Sequence, residues 1–231
     1  MDKRTLVILC LNEVEGVRWL FEKGPDLRKM AEEVIAVDGG SSDGTREILD
    51  IHQITIVDQE IKGRGEAFRV GVRATSGDYL VFFSPDGNED PCDIPKLFDS
   101  LASGADMVIA SRFLPESRNE EDDDLLPFRK WTNQVFTLAA NMIWNRRGFI
   151  SDTINGFRGV TRETFLDLAP DSKGYTIEYE MTISGMKNGI CIEEIPTEEG
   201  NRVGGETKAP SFRTGLKFIA LFLREMRKSI F

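Results

Sequence analysis

Three short apolar runs in the first ninety residues each break off into acidic, turn-forming residues. Thr5-Leu6-Val7-Ile8-Leu9-Cys10-Leu11 runs into Asn12-Glu13, and Val34-Ile35-Ala36-Val37 into Asp38-Gly39-Gly40-Ser41-Ser42-Asp43-Gly44-Thr45. Tyr79-Leu80-Val81-Phe82-Phe83 runs into Ser84-Pro85-Asp86-Gly87-Asn88-Glu89-Asp90-Pro91. Runs this short, alternating with segments of helical period, specify βα units on a mostly parallel sheet. Further strands are predicted at Thr55–Val57 and Met107–Ile109. Helices are predicted at Val14–Lys23, Thr45–Ile51, Gly65–Ala74 and Ile94–Leu101. Open sheets of this kind hold ligands in a crevice beyond the carboxyl ends of their strands. The acidic residues gather at that edge.

A chain of 231 residues suffices for one large α/β domain with a full core. Asp and Glu outnumber Lys and Arg by 39 to 29, a formal charge of -10 that argues against a nucleic-acid partner. Cys10, Cys92 and Cys191 lie far apart without metal spacing, as expected in a reducing compartment. Met1 leads directly into a charged turn and the first strand, which predicts no secretory leader and a cytoplasmic protein. No apolar run reaches the roughly 18 to 20 residues that cross a bilayer.

Oxygen ligands after a buried strand suit a hard divalent cation, which takes one or two carboxylates and completes its shell with phosphate and water. Pro, Asp, Gly and Asn also simply make turns. Three acidic strand ends at one edge favour the ligand reading, with a nucleoside diphosphate as occupant. Gly63-x-Gly65 alone is a weak nucleotide signal, since it lacks the third glycine. The run Glu120-Glu121-Asp122-Asp123-Asp124 reads as a surface loop, either a solvated face or a lid. Phe128, Trp131, Val135, Leu138, Ala139 and Met142 recur at helical spacing and predict a helix from Phe128 to Arg146.

The last segment, 211–231, is set apart from a domain spanning 1–210. On it Phe212, Leu216, Ile219, Ala220, Leu223, Met226 and Ile230 share one helical face, while Arg213, Lys217, Arg224 and Lys228 share another. Such a basic amphipathic helix either packs on the domain or lies in the headgroup region of an anionic membrane.

In order and spacing, residues 4–210 resemble the family 2 glycosyltransferases of the GT-A fold, most closely the dolichol-phosphate mannosyltransferase-like branch. Asn12-Glu13 stands where that branch ends its first strand in Asn-Glu. Val37-Asp38-Gly39-Gly40-Ser41-Ser42-Asp43-Gly44-Thr45 resembles its Val-Asp-Asp-Gly-Ser-x-Asp-Gly-Thr, with Gly39 replacing the second acid. Lys62 to Gly71 is similar to the family's segment beside the nucleotide. Ser84, Asp86 and Asn88 stand in the metal motif Asp-x-Asp-x-Gln, where only Asp86 keeps a carboxylate unless Glu89 or Asp90 swings in. Ser111-Arg112, Arg129 and Asn133, the acceptor-side motif Asp152 to Arg158, Glu180, Glu194-Ile195-Pro196 and the loop Arg202 to Lys208 continue the match.

The resemblance implies a three-layer α/β/α architecture with a mostly parallel sheet. It implies an inverting enzyme that moves a sugar from a nucleotide sugar to a polyprenyl phosphate, using Mg²⁺ or Mn²⁺ at the cytoplasmic membrane face, with a homo-oligomer possible. Asn12, Glu13, Asp38, Gly63, Arg64, Asp86, Arg112, Arg129, Asn133, Arg202 and Lys208 are implied at the donor site, and Asp86 and Asn88 at the metal. Asp152 is the implied catalytic residue for an acceptor hydroxyl, with Glu180 behind it. A glycan or small-molecule hydroxyl as acceptor, and a nucleotide-sugar-binding module without turnover, remain as alternatives.

Overall fold

The computed structural model describes residues 2–122, 127–203 and 211–230, without the side chains of 211–213 and 229–230. Seven strands are found among them: β1 (Arg4–Cys10), β2 (Glu33–Asp38), β3 (Thr55–Asp58), β4 (Tyr79–Phe83), β5 (Met107–Ser111), β6 (Arg158–Thr161) and β7 (Ile192–Pro196). They form one sheet in the order β3-β2-β1-β4-β6-β5-β7. Every neighbouring pair is parallel except those of β6, which runs antiparallel to β4 and β5.

A parallel sheet is stable only with both faces covered, and β1 shows how. Leu6 and Ile8 point to one face, against Val17 and Leu20 of α1 (Val14–Lys23), Leu49 of α2 (Thr45–Ile51) and Phe98 of α4 (Ile94–Ala102). Val7 and Leu9 point to the other, against Phe68 and Val72 of α3 (Arg64–Ala74), Phe165 of α6 (Arg162–Leu168) and Met181 of α7 (Ile177–Asn188). A third cluster joins α7 to α5 (Phe128–Trp144) and α8 (Ser211–Ile230) through Trp144, Tyr179, Ile183, Phe218 and Leu221.

The expected strands and helices of the first half are present. β6, β7, α6 and α7 lie outside the elements expected from sequence. In α7 nine of twelve residues are buried, among them Glu178, Glu180 and Thr182, so no polar face marks its period. β6 is four residues long and carries the buried Arg158.

Two helices form where expected but turn the other way. On α5 the stripe Phe128, Trp131, Val135, Leu138 and Met142 is 51–77% exposed, while Thr137, Ala140, Asn141 and Trp144 face inward. On α8 Leu216, Ile219 and Leu223 are about half exposed, and Phe218 and Leu221 enter the core. The basic residues of α8 are partly engaged by carboxylates. Arg224 donates to Asp171 and to Glu180, Lys228 pairs with Glu225, and Lys217 lines a cleft of the domain; the Arg213 side chain lies outside the described residues. Buried Glu180 draws Arg224 onto the domain, while the Lys228–Glu225 pair lies within the helix and leaves Lys228 about half exposed. Within the described residues, no helix is long and apolar enough to cross a membrane.

Candidate functional site

β1 continues to β2 on one side of the sheet, while β4 lies on its other side, so the strand order reverses between β1 and β4. A cleft of about 440 Å³ opens at that point, walled by Glu13, Gly39, Arg64, Asp86, Tyr175 and Arg202. Such a switch point is where this class of sheet binds ligands.

Local hydrogen bonds shape its floor. Asn12 takes a left-handed backbone (φ 51°), its N–H donates to Ser41 Oγ at 2.8 Å, and its Oδ1 accepts from Ser42 N at 2.8 Å. Glu13 N–H donates to Thr45 Oγ1 at 2.9 Å, which starts α1 and leaves the Glu13 side chain on the cleft. Asp38 is buried and accepts from Ser41 Oγ at 2.5 Å, from the N–H groups of Gly40 and Ser41, and from Arg46 at 2.9 Å. Burial alone would raise its pKa, but the Ser41 and Arg46 hydrogen bonds outweigh it and hold the carboxyl below its usual range. Asp38 therefore shapes the turn, and its neighbour Gly39 lines the cleft. Gly63 (φ 136°) opens α3 beneath the 172–174 loop, and a Cβ there would sit 2.1 Å from Lys173 O.

The turn after β4 carries the oxygen ligands. Gly87 has φ 88° and passes so close to Val203 that a Cβ would come within 2.5 Å of it. The backbone of Gly200 and Val203 straps across this turn, donating to Asn88 O at 2.8 Å and to Asp86 O at 2.9 Å. Arg202 thereby reaches Asp86 Oδ2 at 2.6 Å and Glu13 Oε1 at 3.8 Å. Glu89 accepts from Ser84 N at 2.7 Å, and burial followed by the charge of Asp86 pushes its carboxyl up to about 8. The described residues contain no cluster of three His, Cys, Asp or Glu side chains suited to a metal. Asn88 Oδ1 is nevertheless buried beside Asp86 without a donor among the described residues. A hard oxygen without a partner next to a carboxylate fits a divalent cation that keeps most of its shell for phosphate and water.

A second cavity of about 240 Å³ shares Arg64 and Tyr175 with the cleft and is walled also by Arg112, Asn133, Asn155 and Glu178. Arg112 is fixed by Asp152, whose carboxylate accepts from its Nε at 2.7 Å and its Nη2 at 3.1 Å. Asp152 is fully buried and also accepts from the N–H groups of Ile154 and Asn155, while its own N–H donates to Glu194. Burial pushes the Asp152 carboxyl up, but the Arg112 charge and hydrogen bonds bring it below the usual range. So engaged, Asp152 orients Arg112 and has no oxygen to spare for a proton. Beneath the cavity, buried Arg158 donates to Asn155 O at 2.8 Å and Glu178 O at 2.9 Å, tying this loop to α7. Burial pushes that guanidinium down to about 10.

Of the residues expected from sequence, Glu13, Gly63, Arg64, Asp86 and Arg202 meet in the cleft, and Arg112 and Asn133 in the second cavity. Glu180 does not stand behind Asp152: it accepts from the N–H groups of Asp171 and Ser172 and from Arg224, pinning the loop before α7 to α8. Arg129 is held by Glu120 and Glu121, and Glu120 also accepts from Asn88 Nδ2 at 2.9 Å. The described part of the acidic run thus clamps α5 to the Asp86 turn rather than forming a solvated face. Lys208 lies outside the described residues. Glu178 and Tyr175 were missed: Tyr175 precedes α7, Glu178 stands two residues from Glu180 on it, and no spacing marks which carboxylate faces the cavity.

The profile of glycosyl transferase family 2 matches residues 5–165. The glycosyltransferase AglJ of Haloferax volcanii is 31% identical over 194 residues, covering 83% of this chain and 62% of that protein. The dolichol-phosphate mannosyltransferase of Pyrococcus furiosus is 26% identical over 213 residues, covering 89% and 59%. The chain thus spans about three-fifths of the length of these two relatives. The polyprenol monophosphomannose synthase of Mycolicibacterium smegmatis is 29% identical over 197 residues, covering 76% and 69%. Among solved structures, glucosyl-3-phosphoglycerate synthase from Mycobacterium tuberculosis, in complex with Mn²⁺, UDP and phosphoglyceric acid, superposes with a TM-score of 0.78. It is 21% identical and covers 97% of this chain and 78% of its own, which bears out the expected α/β/α GT-A architecture.

Proposed function

Because the chain belongs to glycosyl transferase family 2, we propose that it moves a sugar from a nucleotide sugar to a polyprenyl phosphate. The observation that carries the acceptor is the engagement of Asp152. A hydroxyl acceptor needs a general base; both oxygens of Asp152 are taken by Arg112 and backbone N–H groups, and Glu178, the other carboxylate on this cavity, is ion-paired with Arg64. A phosphate monoester arrives already ionised and needs only a cation to orient it, which Arg112 supplies at the cavity wall. Two of the relatives carry names of enzymes acting on dolichol or polyprenol phosphate.

In the proposed reaction the acceptor phosphate oxygen attacks the anomeric carbon as the bond to the donor's β-phosphate breaks, with inversion. Negative charge grows on the departing diphosphate. Arg202 and Lys62, both on the cleft, offset it. Mg²⁺ or Mn²⁺ held by Asp86 and Asn88 would add Lewis-acid stabilisation of that diphosphate. Arg202 passes from Asp86 to phosphate as the donor enters. The exposed stripes of α5 and α8 hold the protein at the lipid surface where the acceptor resides.

The test is incubation of the full chain with UDP-glucose or GDP-mannose, divalent cation, and dolichyl or undecaprenyl phosphate in detergent, followed by extraction of lipid-linked sugar. Formation of glycosyl-phospholipid is expected. Transfer only to water-soluble hydroxyl acceptors would overturn the acceptor assignment.

A further inference from the structure

Glu178 is 2% exposed, and its two carboxylate oxygens have unlike surroundings. Oε1 pairs with Arg64 Nε, whereas Oε2 has no donor among the described residues. A buried carboxylate oxygen without a donor is costly, and a fold retains one where a ligand completes it or where function needs it. The side chain lines the second cavity, whose other walls offer Asn133, Asn155 and the Tyr175 phenol. These are groups that exchange hydrogen bonds with hydroxyls. Arg64 joins this cavity to the nucleotide cleft, since its Nη1 donates to Ser84 Oγ at 3.1 Å beside the Asp86 turn. The small serine permits that approach; an acid at 84 would compete with Glu178 for the guanidinium. The pair is also wedged against the chain, because a Cβ on Gly156 would lie 1.9 Å from Arg64 Nη2 and 3.1 Å from Glu178 Oε1.

Resting on the reading of the chain as a nucleotide-sugar transferase, we propose that Glu178 reads the donor's sugar: its unpartnered oxygen accepts a hydrogen bond from a ring hydroxyl of the glycosyl group. The cavity lies where a sugar attached to a diphosphate in the cleft would project, past the shared wall of Arg64 and Tyr175. A neutral hydroxyl is the donor that fits. A phosphate set against Oε2 itself would be repelled, so the acceptor phosphate belongs at the Arg112 side of the cavity. Rotation about the carboxylate's terminal torsion is soft, so either oxygen can be turned to the ligand while the other stays on Arg64.

Calorimetric titration of the full chain with UDP, UDP-glucose, GDP and GDP-mannose, for wild type and Glu178→Gln, tests this. Thermal unfolding of each checks the fold, and Glu178→Asp serves if the glutamine variant does not fold. The sugar's increment in affinity, taken as nucleotide sugar against nucleoside diphosphate, is expected to fall roughly ten- to a hundredfold, the range for a hydrogen bond to a charged group. Affinity for the diphosphate alone should hold or rise, since Arg64 loses its counter-ion. With donor analogues each lacking one hydroxyl, a single analogue should bind wild type weakly and lose nothing further in the variant. Equal losses for diphosphate and nucleotide sugar would make Glu178 a support for Arg64 and overturn the proposal. So would a variant that keeps sugar affinity but loses turnover, which would make it a base for the acceptor. Wild type that binds no nucleotide sugar removes both this proposal and the transferase reading, whereas binding unaltered by the variant removes this proposal alone.

Discussion

The donor half and the C-terminal layer of this molecule are built on opposite logics. Around the ends of β1, β2 and β4, turn residues fix much of the backbone locally, as when Asp38 binds Gly40 and Ser41, and distant segments are laid over those turns, as when Val203 N–H donates to Asp86 O. In the layer of α5, α7 and α8, long-range ion pairs and aromatic packing decide the arrangement. Arg64 meets Glu178, Arg112 meets Asp152, and Phe218 meets Tyr179 at a ring separation of 5.6 Å. Local chemistry is recoverable from a string of residues, whereas partner choice across a hundred positions is not.

Removing a guanidinium from the second region sharpens that contrast most. Arg112→Ala leaves the Asp152 carboxylate buried without its counter-ion, which costs roughly 3–5 kcal/mol. Denaturant unfolding should show this loss together with failed transfer. Asp152 also sets an acid limb. Its folded pKa is depressed, so the stability it contributes is present above the unfolded value of about 3.9 and is lost as pH falls through and below it. Wild type should weaken steeply below about pH 4, and Asp152→Asn should flatten that limb. A parallel acid limb in the variant would show that other carboxylates set it.

Next is Phe218→Ala, which empties a buried site against Phe136 and Tyr179 and costs roughly 3 kcal/mol. It tests whether α8 is part of the folded unit, as opposed to the separable segment expected from its composition. A midpoint shift below about 0.5 kcal/mol would mean that the helix can leave the domain without loss.

The contrast explains which elements were legible. β1, β2 and β4 announced themselves because both faces of a parallel strand are apolar and their ends carry turn residues. α7 did not, since a helix buried all round has no polar stripe and its two glutamates read alike. Glu180 matched a motif and proved to hold the 171–172 backbone, while Glu178, two residues away, faces the cavity. On α5 the period was legible and the direction was not: Asn141 enters the core because it bonds the backbone of Thr137 and Ile150, leaving Met142 outside.

Asp86→Ala probes the first region, where effects should be local. Asp86 is only half-buried and its partner Arg202 retains Glu13 nearby. Transfer should fall at least about a hundredfold, as when one preorganised charge is removed from a site, while the unfolding midpoint stays within about 1 kcal/mol of wild type. Activity that survives in both metal and chelator would take Asp86 out of the donor site.

A small effect per site on stability, and the sharpest test of what the outer layer is for, comes from replacing Leu216, Ile219 and Leu223 with serine together. Each is about half exposed, so the change should alter stability by no more than about 0.5 kcal/mol per site. Cosedimentation of the full chain with liposomes should nonetheless be lost. Because Arg224 and Lys228 are paired with Asp171, Glu180 and Glu225, leaving Lys217 and Arg227 as exposed cations of the helix, apolar contact is expected to dominate, and wild-type binding should persist at high salt and on zwitterionic vesicles. Binding that needs anionic lipid, vanishes in salt and ignores the triple change would return the role to basic groups. Should no vesicle bind, while the triple variant elutes at a lower mass than wild type, the stripe belongs to contact with a second copy of the chain.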